Sequence, residues 1–461
     1  MTTALLSPSS TPVRAPVSRD RFIDALRVFG MALVVVQHWT MPVLTYDGTR
    51  LSAGNAFSTP GAWLITWISQ VMPLVFFAGG AANAMSWGSG RSAAPGWIAS
   101  RLRRLAWPVL PLAALWLPLP HLALELGLPA QPVQFASGLV GQLLWFLAVY
   151  LIAVVSTPLM ARLHDRFGLA VPLVLALCAP LVDVVRFTGF EQAGYLNVVF
   201  VWLAVHQLGF LYRDGRLDRF TGRAGLPVAV AGFGVVAALV ALGPYPASMI
   251  GMPGAAVSNM SPPTACMFAL SVGQLALALA LRPAIVRLSE RPAVGALLDA
   301  AAPRMMTIYL WHMTALVLVA AVAVVGIGLV TPAPFGAVWW ADLPVWLGVL
   351  ALVLGVLLRA FARFENPPRA AGVPSARAVA AATVLIGGAL LCLTVTGFRP
   401  GATPMLAVGA LLAGLWLAGG RRPAPAPAAP APAVPVPAVP VPAPAVPASA
   451  PAVPAPVLLK R

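Results

Sequence analysis

A chain of 461 residues in which 60% are hydrophobic and only 9% are charged is not a string of soluble domains, which carry about a quarter charged residues. The formal net charge of +16 invites a nucleic-acid partner, but the basic residues are scattered singly between apolar runs and form no single polar domain, which excludes that partner. The unit of organisation is instead the bilayer, at about 20 apolar residues per spanning helix.

Residues 1–19 are rich in Ser, Pro and Thr and read as a disordered cytoplasmic segment. The apolar run that follows is long and lacks a cleavage signal, so it reads as an uncleaved first span. Hydropathy then predicts an all-α polytopic bundle of about twelve spans: 22–44, 61–87, 103–126, 139–161, 168–186, 195–212, 226–243, 263–282, 304–330, 343–364, 377–397 and 404–420. The third contains Pro108, Pro111, Pro118 and Pro120 and is expected to be kinked or broken. Alternate loops hold nearly all of the 29 basic residues, and the opposite loops hold only Arg50, Arg186 and Arg399. By the positive-inside rule both termini are then cytoplasmic, and the multi-pass chain is expected in the plasma membrane.

The longest outward loops fall at 45–60, 127–138 and 244–262. The last of these, within "GPYPASMIGMPGAAVSNMSPPT" (243–264), reads equally as a surface loop or as a segment that dips back to membrane depth. Residues 421–461 are low-complexity Pro, Ala and Val, expected to be extended and disordered, a tether or a docking strip. Cys178, Cys266 and Cys392 each lie in an apolar run without paired spacing, so they read as small buried hydrophobes, and no metal site is expected.

Chemistry is concentrated in the first span, "DALRVFGMALVVVQHW" (24–39). Arg27 and His38 are eleven positions apart, about 1,100° of helix, so they share one face at two depths about 16 Å apart. Arg27 suits a phosphate or carboxylate, or else snorkels to the interface beside Asp24 or Asp20. His38 suits proton transfer near neutral pH, or else a hydrogen bond between helices.

This stretch resembles the opening of the membrane acyltransferase-3 family, the bacterial integral-membrane O-acyltransferases, whose first span carries an Arg, ten residues and a His. "MPLVFFAGGAANAMSW" (72–87), "RLRRLAWPVLP" (101–111), "LLWFLAVYL" (143–151) and "IYLWHMTALV" (308–317) resemble later family elements in the same order. The resemblance covers about residues 20–365, a ten-span core. Residues 366–420, holding two more spans, and the tail lie outside it. One departure is that Gly79 precedes Gly80 where the family's Phe-Phe motif has a serine.

The resemblance implies transfer of an acyl group from cytoplasmic acyl-CoA, a co-substrate and not a bound cofactor, to a hydroxyl of a saccharide, a cell-surface glycan or a hydrophobic metabolite. Membrane lipid would be the remaining partner. Arg27 and His38 become the catalytic pair, with His38 the general base or, less favoured, an acyl carrier. Gln37, Asn83, Ser86 and Trp145 are the choices for the group that orients it. Arg101, Arg103 and Arg104 would bind the donor's phosphates, or else merely set topology. Trp145 and His312 complete the binding candidates; His312 reads first as a structural hydrogen-bonder and otherwise as a second proton-transfer group, and His206 reads the same way. Asp183 and Arg186 read as an interfacial ion pair, and His121 and His164 as solvated groups near loops. Twelve spans would also suit a transporter or flippase. Against that, residues 211–420 do not repeat residues 1–210, and the seventh span has no counterpart of Arg27 and His38. A scaffold built on the Pro-rich tail would leave that pair without a purpose.

Overall fold

A computed structural model describes residues 20–88 and 93–420 of the chain. The N-terminal segment, Arg91 and the Pro-rich tail lie outside the described residues. The fold is 76% helical. In chain order it runs α1 (Arg21–Thr40), β1 (Pro42–Tyr46), β2 (Leu51–Asn55), α2 (Ile65–Ser69), α3 (Met72–Gly88), α4 (Ala94–Ala106), α5 (Val109–Trp116), α6 (Leu119–Glu125), α7 (Ala130–Gln142) and α8 (Trp145–Phe167). It continues with α9 (Ala170–Phe187), α10 (Asn197–Arg213), α11 (Gly225–Leu242), α12 (Ala265–Ser289), α13 (Pro292–Ala301), α14 (Met305–Ala320), α15 (Ala337–Phe361), α16 (Ala376–Thr396) and α17 (Ala402–Ala418).

Among the described residues, eleven helical stretches are long and apolar enough to cross a membrane, and α17 is a twelfth, shorter apolar helix. The chain is therefore a multi-pass membrane protein. The third span is broken where its prolines fall: α4 ends before Trp107–Pro108, and α5 before Leu117–Pro118.

Two expectations require correction. The fold is not purely helical, because the first span stops at Thr40 and an antiparallel hairpin follows, with Tyr46 opposite Leu51. Pro42 cannot continue the helix, and Asp47 closes the turn by accepting from the backbone N–H of Thr49 and Arg50 at 2.9 and 2.7 Å. Those bonds, led by Arg50's, hold the Asp47 carboxyl below the usual carboxylate range. The loop expected at 127–138 is largely helix α7, whose Gln131 side chain both donates to and accepts from the Leu51 backbone.

Polar contacts gather chain-distant segments onto one face of the bundle, the face where α1 begins. Asp20 caps α1 by accepting from Phe22 and Ile23 N–H and takes a third hydrogen bond from Tyr212 Oη at 2.8 Å. Arg21 pairs with Asp299 at 2.8 Å and Arg282 with Asp218 at 2.6 Å. We call this face proximal and the opposite one, which carries the hairpin, distal.

Small residues let the helices approach closely, as expected where lipid gives no hydrophobic drive for association. The α3 and α10 backbones meet at Gly80 and Gly209: a Cβ on Gly80 would overlap the His206 carbonyl, and one on Gly209 would overlap the α3 backbone. α16 packs on α4, α7 and α8, with Gly141 of α7 directly against Gly397. α16 is thus built into the bundle, and α17 packs on it.

Candidate active site

α1 is one uninterrupted helix from Arg21 to Thr40, so Arg27 and His38 do share a face. His38 meets a partner 274 positions away: its Nδ1 lies 2.9 Å from His312 Nε2, and the rings stack with centroids 5.1 Å apart. The protons follow from the neighbours. His312 Nδ1 is 2.6 Å from the Tyr309 carbonyl oxygen, which can only accept. A neutral His312 therefore carries its hydrogen on Nδ1 and accepts at Nε2. His38 donates its Nδ1–H to that nitrogen and keeps Nε2 free as a base.

The pair is rigidly mounted. Trp39 Nε1 donates to the His312 carbonyl at 2.9 Å, Trp346 Nε1 to the Trp39 carbonyl at 2.8 Å, and Trp116 Nε1 to Thr314 Oγ1 at 3.0 Å. Tyr309 Oη donates to the Leu143 carbonyl. These bonds tie α1, α5, α14 and α15 together and satisfy backbone groups at a depth where water is scarce. The foot of α14 is fixed as well: the Glu365 carboxylate accepts from Met306 N and Thr307 N, both at 2.9 Å, and from Thr307 Oγ1. A carboxylate at a helix N-terminus satisfies its unpaired N–H groups and complements its dipole.

His38 lies in the wall of a cavity of about 590 Å³ on the distal side. The hairpin, α5–α7, α14 and residues 251–253 line it. The 243–264 segment that supplies Gly251–Pro253 is packed into protein along part of its length: Met249 and Asn259 are fully buried, and Gln70 and Trp67 donate to its carbonyls.

Eleven residues toward the proximal face, a half-buried Arg27 stands within electrostatic reach of Tyr150 and Arg101. Arg101 Nη2 donates to Ser86 Oγ at 2.5 Å, as does Trp97 Nε1 at 3.0 Å. Gly79 explains the missing serine of the Phe-Phe motif. A Cβ there would lie 2.6 Å from the Tyr150 hydroxyl, so the tyrosine fills that space with its own hydroxyl. Asn83 lies beside Tyr150 and bonds His206 Nε2 at 3.1 Å.

The three arginines of "RLRR" do not act as one set. Arg101 joins Arg27, whereas Arg103 turns away, donates to the Pro368 carbonyl at 2.5 Å and lines a separate cleft of about 400 Å³ with Arg104 and Arg369. Trp145 is partly buried with its ring edge against Phe146. None of the four orienting groups expected for His38 is its partner. Asn83 serves His206, Ser86 serves Arg101, and His312 takes that place.

Two further readings are corrected. His164 is buried, not solvated: its Nε2 is 2.7 Å from Asp214 Oδ2 and its Nδ1 3.1 Å from Gln207 Nε2. Asp183 is not an interfacial ion pair with Arg186. It is 1% exposed, and Asn197 Nδ2, Tyr245 Oη and Ala265 N donate to it. It anchors the 243–264 segment at its two ends.

Sequence comparison adds one finding. Residues 20–362 match the family model of the acyltransferase-3 acyltransferase domain. No curated protein and no solved structure matches the chain.

Proposed function

The chain belongs to the membrane acyltransferase-3 family and is an acyltransferase, and we propose that it moves an acyl group from acyl-CoA to a hydroxyl with His38 as general base. The observation that carries this reading is the Tyr309–His312–His38 relay, which leaves Nε2 of His38 unprotonated beside a cavity.

In the reaction, Nε2 takes the hydroxyl proton as the acceptor oxygen adds to the thioester carbonyl. The C–S bond then breaks, and the departing thiolate recovers the proton from the His38 imidazolium. Ester and free thiol result, and the histidine returns to its starting state. Arg27 and Arg101 hold donor phosphates on the proximal side, a task for which the guanidinium fork is suited. Their depth below His38 suits a donor with phosphates at one end and a thioester at the other. With the arginine-rich loops facing the cytoplasm, as the positive-inside rule requires, the donor arrives from the compartment that makes it. Both termini are then cytoplasmic and the membrane is the plasma membrane.

The test uses protein purified in detergent, radiolabelled acetyl-CoA and a range of acceptors. His38→Ala should lose about 10²–10⁴-fold in kcat, the usual worth of a positioned base. Arg27→Ala should act chiefly on donor KM. Undiminished transfer by His38→Ala would overturn the assignment.

A further inference from the structure

The cavity at His38 is selective by composition. Trp116 already gives its N–H to Thr314. Otherwise, among the described residues, the only lining side chains with nitrogen or oxygen are His38, Asn55, Ser137 and Gln142, and no Asp, Glu, Lys or Arg lines it. Two of those four are committed within the protein. Asn55 Oδ1 accepts from Phe57 N at 2.9 Å and Ser137 Oγ donates to the Val133 carbonyl at 2.6 Å. The remaining wall is aliphatic, proline or aromatic, with Leu44, Leu51, Val133, Phe135, Met313 and Leu316 among its members.

A saccharide in this space would lose the water on each of its hydroxyls and find almost no partners, and each unpaired buried polar group costs heavily. A lipophilic body loses nothing of that kind and gains from leaving water. The volume of about 590 Å³ lies in the range, roughly 300–1,000 Å³, of sites that hold a small organic molecule. The occupant is the acceptor and not the acyl tail, because the base must touch the hydroxyl it deprotonates. The free Nε2 is the ring nitrogen left for the cavity, while the donor's cations lie proximal to His38.

We infer that the cavity is the acceptor site and that the acceptor is a lipophilic alcohol, not a glycan. This rests on the acyl-transfer reading above. Its hydroxyl would point at His38 Nε2 and its apolar body would lie between the hairpin, α7 and α14. The alcohol gives its proton to His38, its oxygen takes the acyl group, and the thiolate leaves with the proton.

The full-length protein in nanodiscs is offered radiolabelled acetyl-CoA with either a panel of lipophilic alcohols (farnesol, menthol, dodecanol) or methyl α-glucoside. A diazirine analogue of farnesol reports binding without turnover. The inference expects ester formation on one or more of the panel and none on the glucoside. Crosslinks should map to residues 128–142 and 313–325 and be displaced by unlabelled alcohol. Ala136→Trp, which fills the space, should lower kcat/KM for farnesol at least tenfold and shift preference toward smaller alcohols. The crosslink map of the wild type carries the test if that variant does not fold. Transfer to the glucoside in preference to the alcohols overturns the inference while leaving His38-dependent acyl transfer standing. Crosslinking outside the cavity, or a cavity labelled by a diazirine phospholipid and not cleared by any alcohol, overturns it too. Displaceable cavity labelling without transfer to any acceptor leaves the binding inference and overturns the acyl-transfer reading.

Discussion

His312 makes no contact with a hydroxyl acceptor in the proposed reaction, yet its replacement should slow that reaction. Its Nε2 accepts the Nδ1–H of His38 at 2.9 Å and so decides which nitrogen of His38 stays basic. His312→Ala removes the acceptor. His38 then has no reason to keep its hydrogen on Nδ1, and in part of the molecules Nε2–H faces the cavity, unable to take a proton. The lost bond is buried and worth about 1–3 kcal/mol. At about 1.4 kcal/mol per tenfold, kcat should fall by about 5- to 150-fold. Donor KM should move little, since Arg27 and Arg101 are untouched. His312→Gln places an amide oxygen at similar reach and should recover most of the loss. Acetyl transfer under donor saturation, with both variants at matched folded concentration, gives the comparison. Equal losses for Ala and Gln would mean that His312 contributes only bulk. Wild-type kcat in His312→Ala would mean that the relay plays no part.

Glu365→Ala removes the carboxylate that caps α14, which should cost about 0.5–2 kcal/mol in thermal unfolding and lower kcat through the displaced His312. Gly80→Ala forces a methyl group into the His206 carbonyl, so little folded protein should be recovered, whereas Gly348→Ala, with open space around it, should purify like wild type. Asp214 should confer acid sensitivity. Its carboxyl lies below the ordinary value of 3.8, partial burial opposing this and the hydrogen bonds from His164 and Arg213 prevailing. A depressed pKa adds stability above the ordinary value, lost as pH falls through the folded one. Unfolding midpoints measured between pH 7 and pH 3 should therefore fall less steeply in Asp214→Asn than in wild type.

The spans were legible because the bilayer imposes one requirement on all of them: length and apolarity over a continuous window. Eleven of the twelve expected segments fall on helical stretches long and apolar enough to cross a membrane, the twelfth falls on the shorter helix α17, and the prolines of the third break it as expected. The shared face of Arg27 and His38 followed from helical spacing alone. What escaped was decided by contacts between distant segments. "IYLWHMTALV" was noticed as a motif, but nothing local to it says that His312 meets His38. Glu365 carried no signal, since a helix cap supplied from 59 positions away leaves none in the sequence around Met306. For His164 and Asp183, a place near a helix end suggests exposure that the fold does not give them. Both are instead held by partners on other elements, Asp214 and Tyr245. The hairpin is hidden because its first strand, Pro42–Tyr46, begins inside the apolar run read as the first span, and both strands are too short for periodicity to reveal.

The distance between Arg27 and His38 has a consequence for how an acyl group would be guarded from water. Under the proposed reading the donor's phosphates lie at one depth and its thioester about 16 Å further along α1. The intervening turns are not neutral filler. Gly30 sits against Val75 and Val71 of the neighbouring span, and Met31, Val34 and Val35 are buried. Under this reading, buried apolar side chains separate the cationic mouth from the base. Water reaching His38 would itself be an acceptor, and the thioester would be hydrolysed. With the distal approach lined by apolar side chains, an acceptor hydroxyl competes against little water at Nε2. The same exclusion that makes transfer productive is what makes the cavity intolerant of a hydrated acceptor, so protection of the donor and choice of the acceptor are two effects of one apolar wall.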